Sequence, residues 1–131
     1  VHYEGEGRLE SVHNALEQAK LAAAHICGKE RPKRDAPWFW SDQYDLKLQT
    51  VGLLTGFDEV VLRGDPANKK FAVYYLKDGK FLAVDCVNSP PEFLSAKKLV
   101  GANVTLDPEQ LRNTDINIKE IAEAALAAAT A

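Results

Sequence analysis

The length, composition and charge of the chain indicate one small folded domain and exclude several classes of protein. Its 131 residues are 46% hydrophobic and 27% charged, enough for one core but too few for a second full domain. The net charge of -3 gives no general attraction for nucleic acid, and no apolar run approaches the ~20 residues that span a bilayer, so we predict a soluble, cytoplasmic protein without a membrane partner.

The first predicted element is a helix from about Ser11 to Cys27. Apolar side chains recur at the spacing of one helical face, namely Val12, Ala15, Leu16, Ala19, Ala22, Ala23 and Ile26. Ser11 is a candidate N-cap, and Gly28 is a candidate for the residue after the C-cap. The preceding residues, Val1 to Arg8, show no strand pattern. The helix should therefore bury its apolar face, but against a neighbour that lies outside this chain.

Strands are predicted after a charged segment with two prolines, Lys29 to Pro37, which has the character of a linker. Alternation of apolar and polar residues indicates strands near 45–50, 59–63, 71–76 and 81–87. The pair Asp78-Gly79 between the last two is a two-residue hairpin signal.

Helices are predicted for the last third of the chain. Ser89 and Glu92 have the spacing of a capping box before a helix that runs toward Val100, and Asp107 and Asn117 each precede a further helix. The predicted fold class is α+β: an antiparallel β-sheet of three to five strands followed by helices and preceded by one helix.

Common catalytic and metal-binding motifs do not occur in the sequence. It contains no P-loop, H-E-x-x-H, G-x-S-x-G or zinc-spaced set of Cys and His, so we predict neither catalytic residues nor a metal site. Cys27 and Cys86 lack a C-x-x-C spacing and are interpreted as free thiols, with a disulfide as the alternative. From chemistry alone, the chain is an α+β domain.

Two segments resemble a known family. Residues 8–20 read RLESVHNALEQAK, and residues 37–44 read PWFWSDQY. Together they resemble FAD-dependent NAD(P)H:ferredoxin reductases of the putidaredoxin and rubredoxin reductase type, which serve Rieske oxygenases or cytochrome P-450 systems. The similar order continues through Val51-Gly52-Leu53, Val61-Leu62-Arg63-Gly64, Leu82-Ala83-Val84-Asp85 and Asn88-x-Pro90, so the resemblance spans nearly the whole chain.

This resemblance implies a domain organisation. The family has an FAD domain, an inserted NAD domain and a C-terminal domain. Residues 1–35 would be the terminal helix and linker of an incomplete FAD-binding domain, and residues 36–131 the reductase C-terminal domain. We therefore expect an oxidoreductase fragment that is inactive alone. The intact enzyme would bind FAD, oxidise NAD(P)H and reduce a [2Fe-2S] ferredoxin or a rubredoxin.

The resemblance also suggests residues that face the flavin. Glu10, Ser11 and Val12 lie at a helix N-terminus, where unpaired N–H groups suit the N1/O2 edge of a reduced flavin. The alternative is that Ser11 only caps the helix. Trp38 and Trp40 are expected on a loop beside the flavin ring, with Trp40 preferred for stacking. The alternative for both is a packed core position.

Basic residues are predicted to dock the acidic iron–sulfur partner. Lys20 and Lys47 are the chosen candidates, while Lys29, Arg31, Lys33 and Arg34 are mostly interpreted as a solvated linker.

Two other hypotheses remain: a stand-alone interaction module of reductase ancestry, and a relative of apoptosis-inducing factor. Exposed apolar surface also makes a homodimer of the fragment plausible.

Overall fold

The computed structural model describes residues 2–3 and 7–131 and contains one five-stranded antiparallel sheet. A short pair of strands, β1 (His2–Tyr3) and β2 (Gly7–Arg8), precedes helix α1 (Val12–Ile26). The sheet comprises β3 (Trp38–Gln43), β4 (Leu46–Gly52), β5 (Glu59–Asp65), β6 (Lys70–Lys77) and β7 (Lys80–Val87). The helices α2 (Pro90–Leu99), α3 (Pro108–Arg112) and α4 (Ile118–Thr130) follow. The strand order is β3-β4-β7-β6-β5.

The β6–β7 hairpin forms at the predicted dipeptide. Asp78 and Gly79 have φ values of 50° and 74°, so both turn residues are left-handed. Two such residues match the right-handed twist of the strands that they connect. The hairpin prediction is therefore confirmed.

The hydrophobic core lies between one face of the sheet and the helices α2, α3 and α4. Alternate residues of β6, namely Ala72, Tyr74 and Leu76, are fully buried on that face. The helices contribute the buried side chains Phe93, Ala96, Leu99, Leu111, Ile118, Ile121 and Ala122. The alternation of buried residues in β6 is the period of two that a half-buried strand requires. The predicted α+β class is confirmed, and the sheet has five strands.

Helix α1 begins and ends where the sequence predicts, but its apolar face is not covered by the part of the chain that the structure describes. Ser11 caps its N-terminus, and Gly28 has a φ of +61° just after its end. The predicted stripe is exposed along its length, up to 82% at Ile26. The one buried residue among those described in α1 is the polar Asn14. The exposed stripe agrees with the expectation that no part of this chain covers the apolar face of α1.

Three local predictions need correction. Residues 38–43 are not a loop, because they pair with β4 along their whole length as strand β3. The stretch before α1 is not free of strands, because His2–Tyr3 pairs with Gly7–Arg8, although residues 1 and 4–6 lie outside the described residues. Ser89 does not form a capping box. Its hydroxyl donates to the Val87 carbonyl, and among the described residues its side chain makes no cap hydrogen bond.

No helix among the residues described is both long enough and apolar enough to cross a bilayer.

Candidate functional site

The N-terminus of α1 forms one side of the candidate site. Ser11 has an extended backbone, and its Oγ accepts a hydrogen bond from the Asn14 amide at 3.0 Å. Ser11 therefore caps the helix, and the amides of the first turn are directed away from the helix body. Beside it, the hydrogen bond from Arg8 and the charge of that guanidinium hold the pKa of Glu10 below its usual range.

A small open cleft separates this helix end from the start of the sheet. Its volume is about 130 Å³, and its walls are Leu9, Glu10, Ser11, Pro37, Trp38, Phe39, Thr50, Gly52 and Leu53. Three predicted cofactor residues, Glu10, Ser11 and Trp38, thus meet at one cleft, although Trp38 lies 27 residues after Ser11 in the sequence. Val12 and Trp40 lie next to these residues but are not among the described residues that line the cleft.

Trp38 is a packed residue. Its ring centroid lies 5.4 Å from that of His13 on α1 and 5.8 Å from that of Phe93 on α2. The ammonium group of Lys97 lies 4.9 Å from the ring centre, within the range of a cation–π contact. Trp38 also packs against the hydrophobic core. The packed-core alternative therefore describes Trp38, although this residue also lines the cleft.

Trp40 is the exposed member of the tryptophan pair. Both indoles lie on the same side of β3, with ring centroids 5.4 Å apart, as expected for alternate residues of a strand. Trp40 retains 37% of its surface exposed and is not part of the core cluster. A large aromatic surface at a sheet edge is available for stacking by a planar group.

The cleft is too small to enclose a whole flavin cofactor. Cofactor sites usually enclose about 300–1,000 Å³, which is more than this cleft provides. The helix N-terminus and the two tryptophans are nevertheless suitable chemistry for a flavin ring, because they supply a partial positive charge and apolar cover. Glu10 and Ser11 on one side and Trp38 on the other would contact one edge of the ring, and a further polypeptide surface would be needed to complete the site.

Sequence reasoning missed the residues that join the two sides of the cleft. Asn14 is buried, with 1% of its surface exposed, and its Oδ1 accepts a hydrogen bond from the Arg34 guanidinium at 2.8 Å. The interpretation of Arg34 as part of a solvated linker is wrong, because this side chain also pairs with Glu17. The available signal was an asparagine three residues after the N-cap, on the polar side of the helix.

The two predicted docking lysines lie apart. Lys20 is exposed on α1 and borders a surface cleft with Lys33 and Arg34. Lys47 is exposed at the far end of the β3–β4 hairpin, where it lies opposite Asp42 in the strand register. Four residues of strand separate that position from the Trp38–Val51 pair, which corresponds to about 13 Å. Nine residues of α1 separate Lys20 from Ser11, which corresponds to about 14 Å, so neither lysine lies beside the cleft.

Metal and disulfide chemistry are not evident in the described residues. Within residues 2–3 and 7–131, no group of three or more His, Cys, Asp or Glu side chains is placed to hold a metal ion. Both cysteines are free, with Cys27 exposed and Cys86 buried, so the prediction of free thiols is confirmed. Burial raises the pKa of the Cys86 thiol well above its usual range.

The fold and the site define a class of protein. The chain is an α+β domain in which the N-terminus of a helix and the edge of an antiparallel sheet form a small cleft. The chain is a member of the family described as Reductase C-terminal, which it matches over residues 38–122.

Individual relatives agree with this assignment. The chain is 46% identical to the 5,5'-dehydrodivanillate O-demethylase ferredoxin reductase subunit of Sphingobium sp., over 89% of this chain and 28% of that protein. It is 46% identical to the putidaredoxin reductase of Pseudomonas putida, over 92% of this chain and 28% of that protein. The crystal structure of the covalent putidaredoxin reductase–putidaredoxin complex matches 95% of this chain and 30% of its counterpart, with a TM-score of 0.82 and 43% identity. The chain therefore spans less than a third of the length of these relatives.

Proposed function

We propose that this chain is the C-terminal part of an FAD-dependent NAD(P)H:ferredoxin reductase that supplies electrons to a Rieske oxygenase or cytochrome P-450 system. The observation that carries the proposal is the meeting of Glu10 and Ser11 with Trp38 at one cleft, in a chain whose relatives are ferredoxin reductases. In the intact enzyme the chain would cover the flavin and help to dock the iron–sulfur partner.

The proposed division of the chain places residues 1–35 in an FAD-binding domain and residues 36–131 in the C-terminal domain. The match to the Reductase C-terminal family begins at residue 38, close to this boundary. The exposed apolar face of α1 also supports it, because a helix that exposes Val12, Leu16 and Ile26 to water loses the burial that normally stabilises an amphipathic helix. A sheet of the FAD-binding domain would cover that face.

The residues near the cleft have separate roles in this proposal. When bound, FAD would supply the capacity to accept a hydride from NAD(P)H and to donate single electrons. The first-turn amides of α1, beside Ser11 and Val12, would stabilise negative charge that develops on the pyrimidine edge of the ring. Trp40 would cover part of the ring and exclude water, and Trp38 would support Trp40 from the core side.

The electron acceptor is proposed to be a [2Fe-2S] ferredoxin or a rubredoxin. Lys20 would contribute positive charge on the exposed surface of α1, and Lys47 would contribute a separate positive charge at the far end of the β3–β4 hairpin. Complementary charge accelerates the encounter of weakly bound redox partners. One solved relative is a covalent complex of a reductase with putidaredoxin, which supports this class of partner.

The proposal is tested with the polypeptide encoded by the complete gene. We expect a product of roughly 400 residues, the size implied by two further nucleotide-binding domains. Its visible flavin absorption should bleach when NADH or NADPH is added under nitrogen. The 131-residue chain, expressed separately as the matched control, should neither retain FAD nor reduce a dye with NADH.

Two results would contradict the proposal. Substantial NADH-dependent dye reduction by the 131-residue chain would show that the missing domains are not needed. A colourless full-length product would favour the alternative, a non-catalytic interaction module of reductase ancestry. Sedimentation of the separate chain would also test whether its exposed apolar surface pairs with a second copy.

A further inference from the structure

A chain of hydrogen bonds connects the N-terminus of α1 to the segment before β3. On the helix side, the Asn14 side-chain amide donates to the Leu9 carbonyl at 3.1 Å, while its backbone amide donates to Ser11 Oγ at 3.0 Å. One buried residue therefore fixes the path of the backbone that forms the helix side of the cleft.

Arg34 carries the connection across to the other side. Its Nη2 donates to Asn14 Oδ1 at 2.8 Å, and its Nε donates to Glu17 Oε2 at 3.3 Å. The other oxygen of Glu17 accepts from the Asp35 amide at 2.7 Å. Both partners of the Arg34–Glu17 ion pair are largely buried, so leaving either unpaired would carry a desolvation cost.

The connection then reaches the sheet and α2. The Pro37 carbonyl accepts a hydrogen bond from the Gly52 amide at 2.9 Å, which ties the end of the linker to β4. The Asp35 carboxylate lies 3.7 Å from the Lys97 ammonium group, which also lies over the Trp38 ring. The wall formed by Pro37 and Trp38 is thus tied to the same segment that Arg34 holds.

We infer that Asn14 and Arg34 are positioning residues that set the separation between the two walls of the cleft. This inference rests on the proposed function, because it assigns the cleft to the flavin. The apolar stripe of helix α1 is exposed, so this stripe does not hold the helix N-terminus against the sheet, and His13 contributes a ring contact with Trp38. Buried polar groups with defined partners give this orientation instead, since displacement would leave them unpaired.

The position of α1 can be measured without a flavin. One spin label is attached to the exposed Cys27 and a second to Glu120→Cys on α4, and the distance between them is measured by pulsed electron paramagnetic resonance. We expect one narrow distance distribution in the doubly labelled protein that has no further substitution. The Arg34→Ala and Asn14→Leu variants should show a broad distribution instead. Lys33→Ala is the matched control, because it removes one positive charge from the same segment and should retain the narrow distribution.

Arg34→Ala is the decisive variant, because it alters the segment before β3 and leaves the hydrophobic core intact. If its distance distribution equals that of Lys33→Ala, the inference is overturned, whatever the full-length protein binds. If the distribution broadens, the orientation of α1 depends on Arg34, as inferred.

The effect on the cofactor is measured in the FAD-loaded full-length protein. Visible circular dichroism of the flavin depends on the asymmetry of its surroundings, so Arg34→Ala should reduce that signal while Lys33→Ala retains it. An unchanged signal in Arg34→Ala would overturn the positioning role at the flavin. Absence of bound FAD would contradict only the proposed function, because the spin-label experiment is independent of it.

Discussion

Arg63 of β5 and Glu92 of α2 form a buried ion pair between the sheet and the helices, with 2.8 Å between Arg63 Nε and Glu92 Oε1. The guanidinium group also donates to three carbonyl oxygens in or after α3, those of Leu111, Asn113 and Ile116, at 2.6 to 2.9 Å. Only 5% of the Arg63 surface is exposed. One side chain therefore holds together the strand, the helix layer and the loop that leads to α4.

Replacement of Arg63 should strongly destabilise the protein. In Arg63→Met, Glu92 would lose its buried counter-charge and three carbonyl groups would lose their donor, so we expect a loss of about 3–5 kcal/mol in the free energy of unfolding. Urea denaturation measures this. The matched control is Arg112→Met, which breaks exposed ion pairs with Glu59 and Glu109 and should cost at most about 1 kcal/mol. Equal losses in the two variants would contradict the central role of Arg63.

Tyr75 should make stability sensitive to alkaline pH. Burial and the hydrogen bond to Asp85 raise the pKa of Tyr75 to about 12. The pKa of Tyr75 is higher in the folded protein than the value of ~10 in the unfolded chain. The contribution of Tyr75 to the free energy of unfolding is therefore fully present below pH ~10 and is lost as the pH rises through ~12. Urea denaturation across that range should show the decline. In Asp85→Asn the hydroxyl should titrate at lower pH by ultraviolet difference absorption; an unchanged titration would contradict the role of Asp85.

The two cysteines should differ in reactivity. Burial raises the pKa of the Cys86 thiol, which disfavours the reactive thiolate, whereas Cys27 is exposed at the end of α1. We expect a thiol reagent to modify one cysteine thiol in each native chain and both cysteine thiols in denaturant, as measured by intact mass. Cys27→Ser should leave the native protein unmodified. Rapid modification of Cys86 in the folded variant would show that the core opens there.

Gly52 should not tolerate a side chain. It has a φ of +89°, and a Cβ atom would lie 2.2 Å from the Leu82 carbonyl oxygen in the adjacent strand. Gly56 is the matched control, because its φ is +88° but a Cβ atom there would have no described atom within 4 Å beyond its chain neighbours. Both alanine variants carry similar backbone strain, so the difference between them reports the steric clash at residue 52. Gly52→Ala should lower the free energy of unfolding by about 1–3 kcal/mol more than Gly56→Ala. Thermal unfolding compares them, and similar costs would refute the steric argument.

Replacement of Trp38 should mainly reduce stability, whereas replacement of Trp40 should mainly change the contact with the flavin. Trp38→Ala removes a ring packed on the core and should cost about 3 kcal/mol in urea denaturation. Trp40→Ala removes an exposed ring and should cost less than about 1 kcal/mol. In the FAD-loaded full-length protein, however, Trp40→Ala should change the flavin fluorescence. An unchanged flavin signal would leave Trp40 without the proposed stacking role.

Local signals in the sequence predicted most of the secondary structure. The N-cap at Ser11, the left-handed Gly28 and the Asp78-Gly79 turn depend on short-range backbone conformation, which neighbouring residues largely determine. The failure at Ser89 has a tertiary cause. Glu92, the expected partner in a capping box, is instead bound to Arg63 and to the hydroxyl of Tyr74. A long-range ion pair therefore replaced a local hydrogen bond.

The sequence by itself determined the α+β class, the helix ends and the central hairpin. Only the tertiary structure decided that residues 38–43 form a strand, that Trp38 is packed while Trp40 is exposed, and that Arg34 points inward to Asn14. Periodicity and turn chemistry act over a few residues and are legible in the sequence. Strand pairing and buried polar contacts join residues far apart in the chain, so their partners are selected only when the whole domain folds.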